Sequence, residues 1–264
     1  MARICPLFSG SSGNSYYIGT ARDGILVDVG RSAKQIDGML DTCGIDGKAI
    51  HAIFITHEHS DHVSGLRVFA SRHRIPVYTS AGTMAALEKA GCVNEKVEAG
   101  VIGAGGMACA GMQVTPFPIP HDSAECVGYR IETPDGRKIA LSTDLGCLTD
   151  TVKENLSGAD TVILESNHDV GMLQNGPYPY HLKRLILSDT GHLSNAVCAS
   201  ELDSLVRSGS TRFILAHLSH ENNTPELAFQ TTLCALKMSG MRQGRDFELF
   251  VAPRENAEAR TIVF

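Results

Sequence analysis

The sequence predicts an α/β fold built as a four-layer αββα sandwich, with two sheets face to face and helices outside. Two observations lead there. Short strands followed by helices occur twice along the 264 residues. Polar clusters also recur at the ends of apolar strands, where loops from both halves can converge on a shared edge. No linker-like stretch and no repeat period interrupts the pattern. Residues 1–264 are therefore expected to form a single domain with a substantial core.

Taken in order, residues 2–8, 15–19 and 24–29 read as short strands separated by Gly, Ser and Asn turns. Residues 32–43 read as a helix with Ser32 as its N-cap. Residues 51–56, HAIFIT, form an apolar, β-branched strand. Helical patterns follow over 63–73 and 81–91. From Gly100 to Leu141 the Gly, Pro and Thr content rises and short strands dominate, with a turn at Pro134-Asp135-Gly136. The second half alternates: a strand at 161–166, an amphipathic helix at 194–208, a strand at 212–217 and a helix at 224–240. Thr224 caps that last helix and Pro225 takes its first position. Residues 247–252 and 260–264 close the chain as strands.

Composition is that of a globular chain, 43% hydrophobic and 20% charged, which excludes disorder as the default. No apolar run approaches the roughly 20 residues of a membrane span. The N-terminal apolar run is too short for a secretion signal, so a cytoplasmic location is expected. The eight cysteines form no CxxC pair and lie in apolar segments, as buried free thiols do. The net charge of −6 argues mildly against a polyanionic partner. Two bound divalent ions would add positive charge at a single site and blunt that argument.

The stretch ITHEHSDHVSG, Ile55 to Gly65, is the densest concentration of metal-ligand chemistry in the chain. On an extended segment His57 and His59 point the same way and can clamp one ion. Asp61 and His62 can then turn toward a second. Imidazole with carboxylate suits zinc, manganese or iron. Three more residues of ligand type end apolar runs: His121 after PFPIP, Asp144 in LSTDLG and His217 after RFILA. Asp28, closing ILVDV, is expected to fix the histidine loop or a ligand's second nitrogen.

In that order and at that spacing, Asp28, the HxHxDH loop, His121, Asp144 and His217 resemble the metallo-β-lactamase-fold hydrolases. The resemblance spans nearly the whole chain and implies the αββα fold and a two-metal site whose bridging water attacks substrate. With ligand chemistry, it assigns His57, His59 and His121 to one ion and Asp61, His62 and His217 to the other, with Asp144 bridging. Glu58 is expected to point away from both. Histidine at position 62 departs from the true lactamases, and histidine at 59 from the flavo-diiron branch.

Phosphodiester, thioester and lactone hydrolases share this scaffold. A phosphodiester transition state needs a proton for its leaving oxygen. Glu165, ending TVILE, and His192, in GHLSN, resemble the carboxylate–histidine pair of the tRNA 3′-processing nucleases and are expected to supply it. Ser12, Asn14, His168, His220 and Asn222 are candidate phosphate or nucleotide contacts. The loop SGSSGNS, Ser9 to Ser15, could form a backbone anion nest. FSGSSGNSYYIG, THEHSDH, STDLG, LESNHD, GHLSN and LAHLSHENN together resemble the YycJ/WalJ subgroup. This implies a metal-dependent 5′-to-3′ DNA exonuclease in DNA repair, with zinc or manganese as cofactor. Single-stranded DNA or DNA ends are its expected partners, along with a repair protein that delivers them. The alternative is a thioester or lactone hydrolase, glyoxalase II-like, on the same metals. Only 73 positions separate Asp144 from His217, too few for the extra domain of the β-CASP nucleases.

Overall fold

The computed structural model describes residues 2–263. Its strands are β1 (Arg3–Phe8), β2 (Ser15–Gly19), β3 (Gly24–Val27), β4 (Ile50–Phe54), β5 (Val77–Thr79), β6 (Ala99–Val101), β7 (Met107–Cys109), β8 (Met112–Pro118), β9 (Val127–Glu132), β10 (Lys138–Ser142), β11 (Thr161–Glu165), β12 (Arg212–Ala216), β13 (Glu248–Val251) and β14 (Ile262–Val263). They pair into two sheets, ordered β14-β1-β2-β3-β4-β5-β6 and β13-β12-β11-β10-β9-β8-β7. The helices are α1 (Ala33–Thr42), α2 (Ser60–Val63), α3 (Leu66–His73), α4 (Ala81–Lys89), α5 (Asp150–Leu156), α6 (Val170–Asn175), α7 (Tyr180–Ile186), α8 (Asn195–Arg207) and α9 (Pro225–Met238). Phe264, the end of the strand expected over 260–264, lies outside the described residues.

Side-chain alternation builds the layers. Ile25 and Val27 of β3, Ile163 of β11 and Ile214 of β12 enter one cluster between the sheets. Their neighbours point the other way. Leu26 packs with Ile36 and Leu40 of α1 and Phe69 of α3. Val162, Leu164, Phe213 and Leu215 pack with Leu202 of α8 and Leu236 of α9. A strand covered on both faces needs apolar residues at every position, which is why TVILE and RFILA carry no alternating polar residues. The expected αββα sandwich is the observed one, and no helix among the described residues is long and apolar enough to cross a membrane.

Capping follows the sequence closely. The Ser32 side chain accepts from Gln35 N–H, and Thr224 from Leu227 N–H with Pro225 in the first turn. Two expectations are corrected. The strand expected over 24–29 stops at Val27, because Asp28 turns into the left-handed region at φ 63°. The helix expected over 63–73 is broken at Gly65. That glycine donates its N–H to Val29 O, and a Cβ on it would lie 2.1 Å from Arg31 O. A separate helical turn, α2, therefore starts at Ser60 and carries Asp61 and His62.

Within each sheet the strands that end in ligand-type residues run one way. β3 and β4 are parallel, as are β10, β11 and β12, and β8 is antiparallel to β9, which is antiparallel to β10. Their carboxyl ends thus share an edge, the usual place for a site in sheets of this kind. Cross-sheet bonds tie the two edges together. Val127 N–H donates to Thr56 O, the Tyr129 hydroxyl to Ile55 O, and His217 N–H to Ser9 Oγ.

Gly30 is where this edge is tightest: a Cβ there would stand 1.7 Å from Asp61 O and 2.5 Å from Asn14 N. Gly38, in α1, has nothing within 4 Å of its Cβ position. Gly30→Ala should lower the urea unfolding midpoint by an amount equivalent to about 3 kcal/mol or prevent folding. Gly38→Ala should raise stability by about 0.8 kcal/mol through helix propensity alone. Equal midpoints for the two variants would refute the close approach at Gly30.

Candidate metal centre

The site begins with a carboxylate that touches no open space. Asp28 is 1% exposed. Its Oδ1 accepts from Thr56 N–H at 2.8 Å, and its Oδ2 from the Thr56 hydroxyl at 2.9 Å and from His62 Nδ1 at 2.8 Å. Because the Thr56 hydroxyl donates to Asp28, it can only accept from His57 Nδ1, 3.1 Å away. Both rings are thereby oriented with Nε2 toward the ligand-type cluster, and His57 Nε2 has no hydrogen-bond partner. Asp28 therefore sits behind the loop as the sequence led us to expect. Thr56 as its intermediary had no signal of its own, since it follows a buried strand like many threonines.

The ligand-type atoms fall into three groups, two of which carry the expected ligands; the third, Asp144, Glu165, His192 and His217, overlaps the second. His57, His59 and His121 offer nitrogens that all lie within 4.8 Å of one another, and so do the donor atoms of Asp61, His62, Asp144 and His217. The first two groups abut, since the His57 and His62 rings are 4.1 Å apart. In the second group His62 Nε2 stands 3.2 Å from Asp144 Oδ2 and 3.6 Å from Asp61 Oδ2, and His217 Nε2 is 3.4 Å from Asp61 Oδ2. Asp144 is grouped both with this second set and with Glu165, His192 and His217. Asp144 at φ 61° and His217 at φ 53° are left-handed, as Asp28 is. Such backbone is costly for non-glycine residues and clusters at functional sites.

Electrostatics divide the histidines. Burial pushes His57 well below the ordinary histidine range and lowers His121. Both are therefore neutral imidazoles ready to ligate. Burial opposes charge on His62 and His217 as well, but there the carboxylates win. Asp144 and Asp28 hold His62 well above its usual value, and Asp144, Asp61 and Glu165 raise His217 to about 10. Without a cation, protons on these two rings offset the buried carboxylates. His57 Nε2 meanwhile is buried with no hydrogen-bond partner, a costly state in a closed interior. An orphaned imidazole nitrogen and a carboxylate cluster that draws protons both fit a bound metal.

Glu165 does more than its sequence context indicates. It is fully buried. Its Oε1 lies 2.8 Å from His192 Nδ1 and also 2.8 Å from His217 Nδ1, while Oε2 accepts from the N–H groups of Leu145 and Leu193. The carboxylate thus holds His192 and a ligand-type histidine together. The His192 ring stands 5.4 Å from both the His121 and the His217 rings. Burial tends to raise Glu165, but His192 and His217 outweigh it and bring it down to about 2. His192 is raised in turn, burial being outweighed by Glu165 and Asp144.

The candidate substrate contacts fare differently. Asn14 is wholly buried. Its Nδ2 reaches Asp61 Oδ2 at 3.3 Å and His62 Nε2 at 3.1 Å, so it bridges two ligand-type atoms of the Asp61–His62 turn. The nest expected of Ser9–Ser15 is spent internally. Gly10 N–H donates to Asn14 Oδ1, Gly13 N–H to Gly10 O and Asn14 N–H to Asp61 O. Ser12 is exposed and accepts from Arg31. His220 is exposed and pairs with Glu221 at 2.7 Å. His168 and Asn222 are each 1% exposed, and their side-chain polar atoms have no partner. Glu58 turns away from the ligands, as expected, and accepts from Ala124 N–H. The cysteines are free thiols among the described residues.

Comparison with known proteins adds relatives. A family model described as the β-lactamase superfamily domain matches residues 25–218. A Bacillus anthracis protein named exodeoxyribonuclease YycJ is 36% identical over 244 residues, covering 92% of each chain. One from Streptococcus pneumoniae, named exodeoxyribonuclease WalJ, is 34% identical over 259 residues, covering 97% of this chain and 96% of its own. Among solved structures, zinc-bound PqqB from Methylobacterium extorquens superposes with a TM-score of 0.74 at 16% identity, covering 99% of this chain and all of its own, a likeness of fold.

The Glu165 carboxyl is depressed in the folded protein, to about 2, against about 4.3 in an unfolded chain. Its contribution to stability is therefore complete above the unfolded value and is lost as pH falls toward the folded one. In metal-stripped protein, Glu165→Gln should cost on the order of 3 kcal/mol near neutral pH. The wild-type advantage in urea midpoint should shrink as pH is lowered from about 6 to about 3. An advantage that stays constant across that range would contradict the ion pairing.

Proposed function

The chain belongs to the β-lactamase superfamily, within its YycJ/WalJ group, and from that premise we propose that it is a metal-dependent phosphodiesterase that degrades DNA from the 5′ end. The observation that carries this reading is the Glu165–His192 pair, at 2.8 Å, set against the two ligand groups. A thiolate leaves without help, whereas an alkoxide leaving from phosphorus needs a proton. A histidine held above its usual pKa by a buried carboxylate is suited to donate one.

In this reading His57, His59 and His121 would hold one divalent ion and Asp61, His62 and His217 a second, with Asp144 as a further ligand. Divalent ions held there, zinc or manganese, would supply Lewis acidity toward a phosphodiester and toward water. The remaining work belongs to the chain. Asp28 and Thr56 fix the tautomers of His57 and His62, Asn14 steadies Asp61, and Asp61 orients the attacking water. Glu165 accepts from His192 Nδ1, which leaves Nε2 as the atom that gives its proton to the leaving oxygen. The acidic balance of the chain, −6, disfavours loose duplex binding, which suits a strand end delivered by a partner protein.

The test is hydrolysis of a 5′-phosphorylated, 3′-labelled single-stranded DNA by metal-stripped protein, with zinc or manganese added back separately. Stepwise shortening from the 5′ end is expected with one of the metals and not in Asp61→Ala. His192→Ala should retain metal but lose about 10²-fold in kcat. No cleavage with either metal, together with turnover of a simple thioester, would move the function to ester chemistry. Undiminished cleavage by His192→Ala would remove its role as acid.

A further inference from the structure

Helix α7 carries a feature that the metal chemistry does not use. Tyr180, at its start, is 76% exposed, whereas Tyr16, Tyr17 and Tyr129 are each no more than 1% exposed. One helical face presents Tyr180, then Arg184, then Leu187, at spacings of four and three residues. Arg184 is exposed and Leu187 is 48% exposed. In a chain with 29 acidic residues, none occurs from Val170 to Ser188, while Lys183 and Arg184 do. An exposed aromatic ring with a cation one turn away is the combination that binds single-stranded nucleic acid: the ring stacks on a base and the cation meets a phosphate.

The helix is bonded to His192 at one end and its approach packs against Asn222 at the other. At its C-terminal end, Ile186 O accepts from His192 N–H at 2.9 Å, and Gly191 packs so closely that a Cβ would lie 2.2 Å from Leu185 O. Before its N-terminal end, a Cβ on Gly176 would lie 2.8 Å from Asn222 Oδ1, and Lys183 Nζ donates back to Gln174 O and Gly176 O. Tyr180 and Ile186 are six residues apart, about 9 Å along a helix axis. Tyr180 thus begins a helix whose far end is bonded to His192.

We propose that the Tyr180–Arg184 face of α7 is the track along which a single-stranded DNA chain runs past the metal centre, with Tyr180 as a base-stacking platform. This rests on the nuclease reading and extends it to how the chain is held beyond the cleaved bond. A second copy of this protein fits the face less well. A two-fold interface would set the patch against itself and bring Lys183 and Arg184 toward their own counterparts.

The experiment measures affinity and turnover separately. Affinity for a phosphorothioate-linked single strand of about 20 nucleotides is read by fluorescence anisotropy in the metal-loaded protein. Tyr180→Ala should weaken it about tenfold, and Tyr180→Phe should restore it, since stacking needs the ring and not the hydroxyl. Arg184→Ala should weaken binding and flatten its dependence on salt. Equal affinity in wild type and Tyr180→Ala overturns the proposal. So does a shift from dimer to monomer on sedimentation of Tyr180→Ala, which would make this face a subunit contact. Ring-dependent binding without turnover of an ordinary oligonucleotide would sink the nuclease reading and leave the platform standing.

Discussion

Asp28 carries a charge-capable group into a region with almost no access to water, and the neighbouring loop is arranged around that fact. A carboxylate there is tolerable only with donors on both oxygens. Thr56 supplies two and His62 the third. Once those bonds are made, the path of residues 55–62 has little freedom left. Thr56 must place its amide and hydroxyl on Asp28, which fixes the start of the histidine run. His62 must turn its Nδ1 inward, which turns its Nε2 toward Asp144. Asn14 closes the arrangement from the other side, and Gly30 admits the backbone of Asp61 where any side chain would collide. Four segments far apart in sequence thus depend on a single buried acid.

The same arrangement explains the strain at the strand ends. Asp28, Asp144 and His217 all adopt left-handed backbone, each at a cost of about 1–3 kcal/mol. A strand continued in extended geometry would alternate its side chains between the two faces of the sheet. A left-handed residue just past the strand instead aims its side chain over the sheet edge, where the other sheet's loops arrive. Cross-sheet bonds, notably His217 N–H to Ser9 Oγ and Tyr129 hydroxyl to Ile55 O, maintain that geometry against relaxation. The apolar interior between the sheets supplies the stability that makes such strain affordable.

Glu165 is the second organising acid, and its position links binding to chemistry. One oxygen serves two histidines from different loops, and the other gathers two backbone amides. A ligand-type residue and the proposed proton donor are therefore held by the same atom, so a change that moves one moves both. Behind them Ser166, Asn195 and Asn223 form a closed set of hydrogen bonds that fixes the loops after β11 and β12 and the start of α8. Helix α7 is bonded to His192 at its far end, which ties an exposed tyrosine on a short helix to the site.

Much of this was legible in the chain itself. The sandwich could be read because strands buried on both faces need unbroken apolar runs and amphipathic helices need a 3.6-residue period, and both are properties of local sequence. The residues of ligand type could be read because HxHxDH crowds three histidines and an aspartate into six positions, and His121, Asp144 and His217 complete that set from other strand ends. Ser32 and Thr224 announced their helices for the same local reason. What sequence did not disclose is who stands behind whom. Asn14 looked like a loop residue open to substrate but is buried and bridges Asp61 and His62. The Ser9–Ser15 amides looked free but bond to one another and to Asp61. At the break, Gly65 gives its N–H to Val29 O, more than thirty positions away. The shared use of Glu165 Oε1 depends on β11 and β12 being adjacent and in register. These outcomes are set by contacts between segments distant in the chain, and no local pattern encodes the partner. Local sequence determined the elements and the chemistry available at their ends; tertiary packing alone decided which of those groups hold each other and which remain free to act.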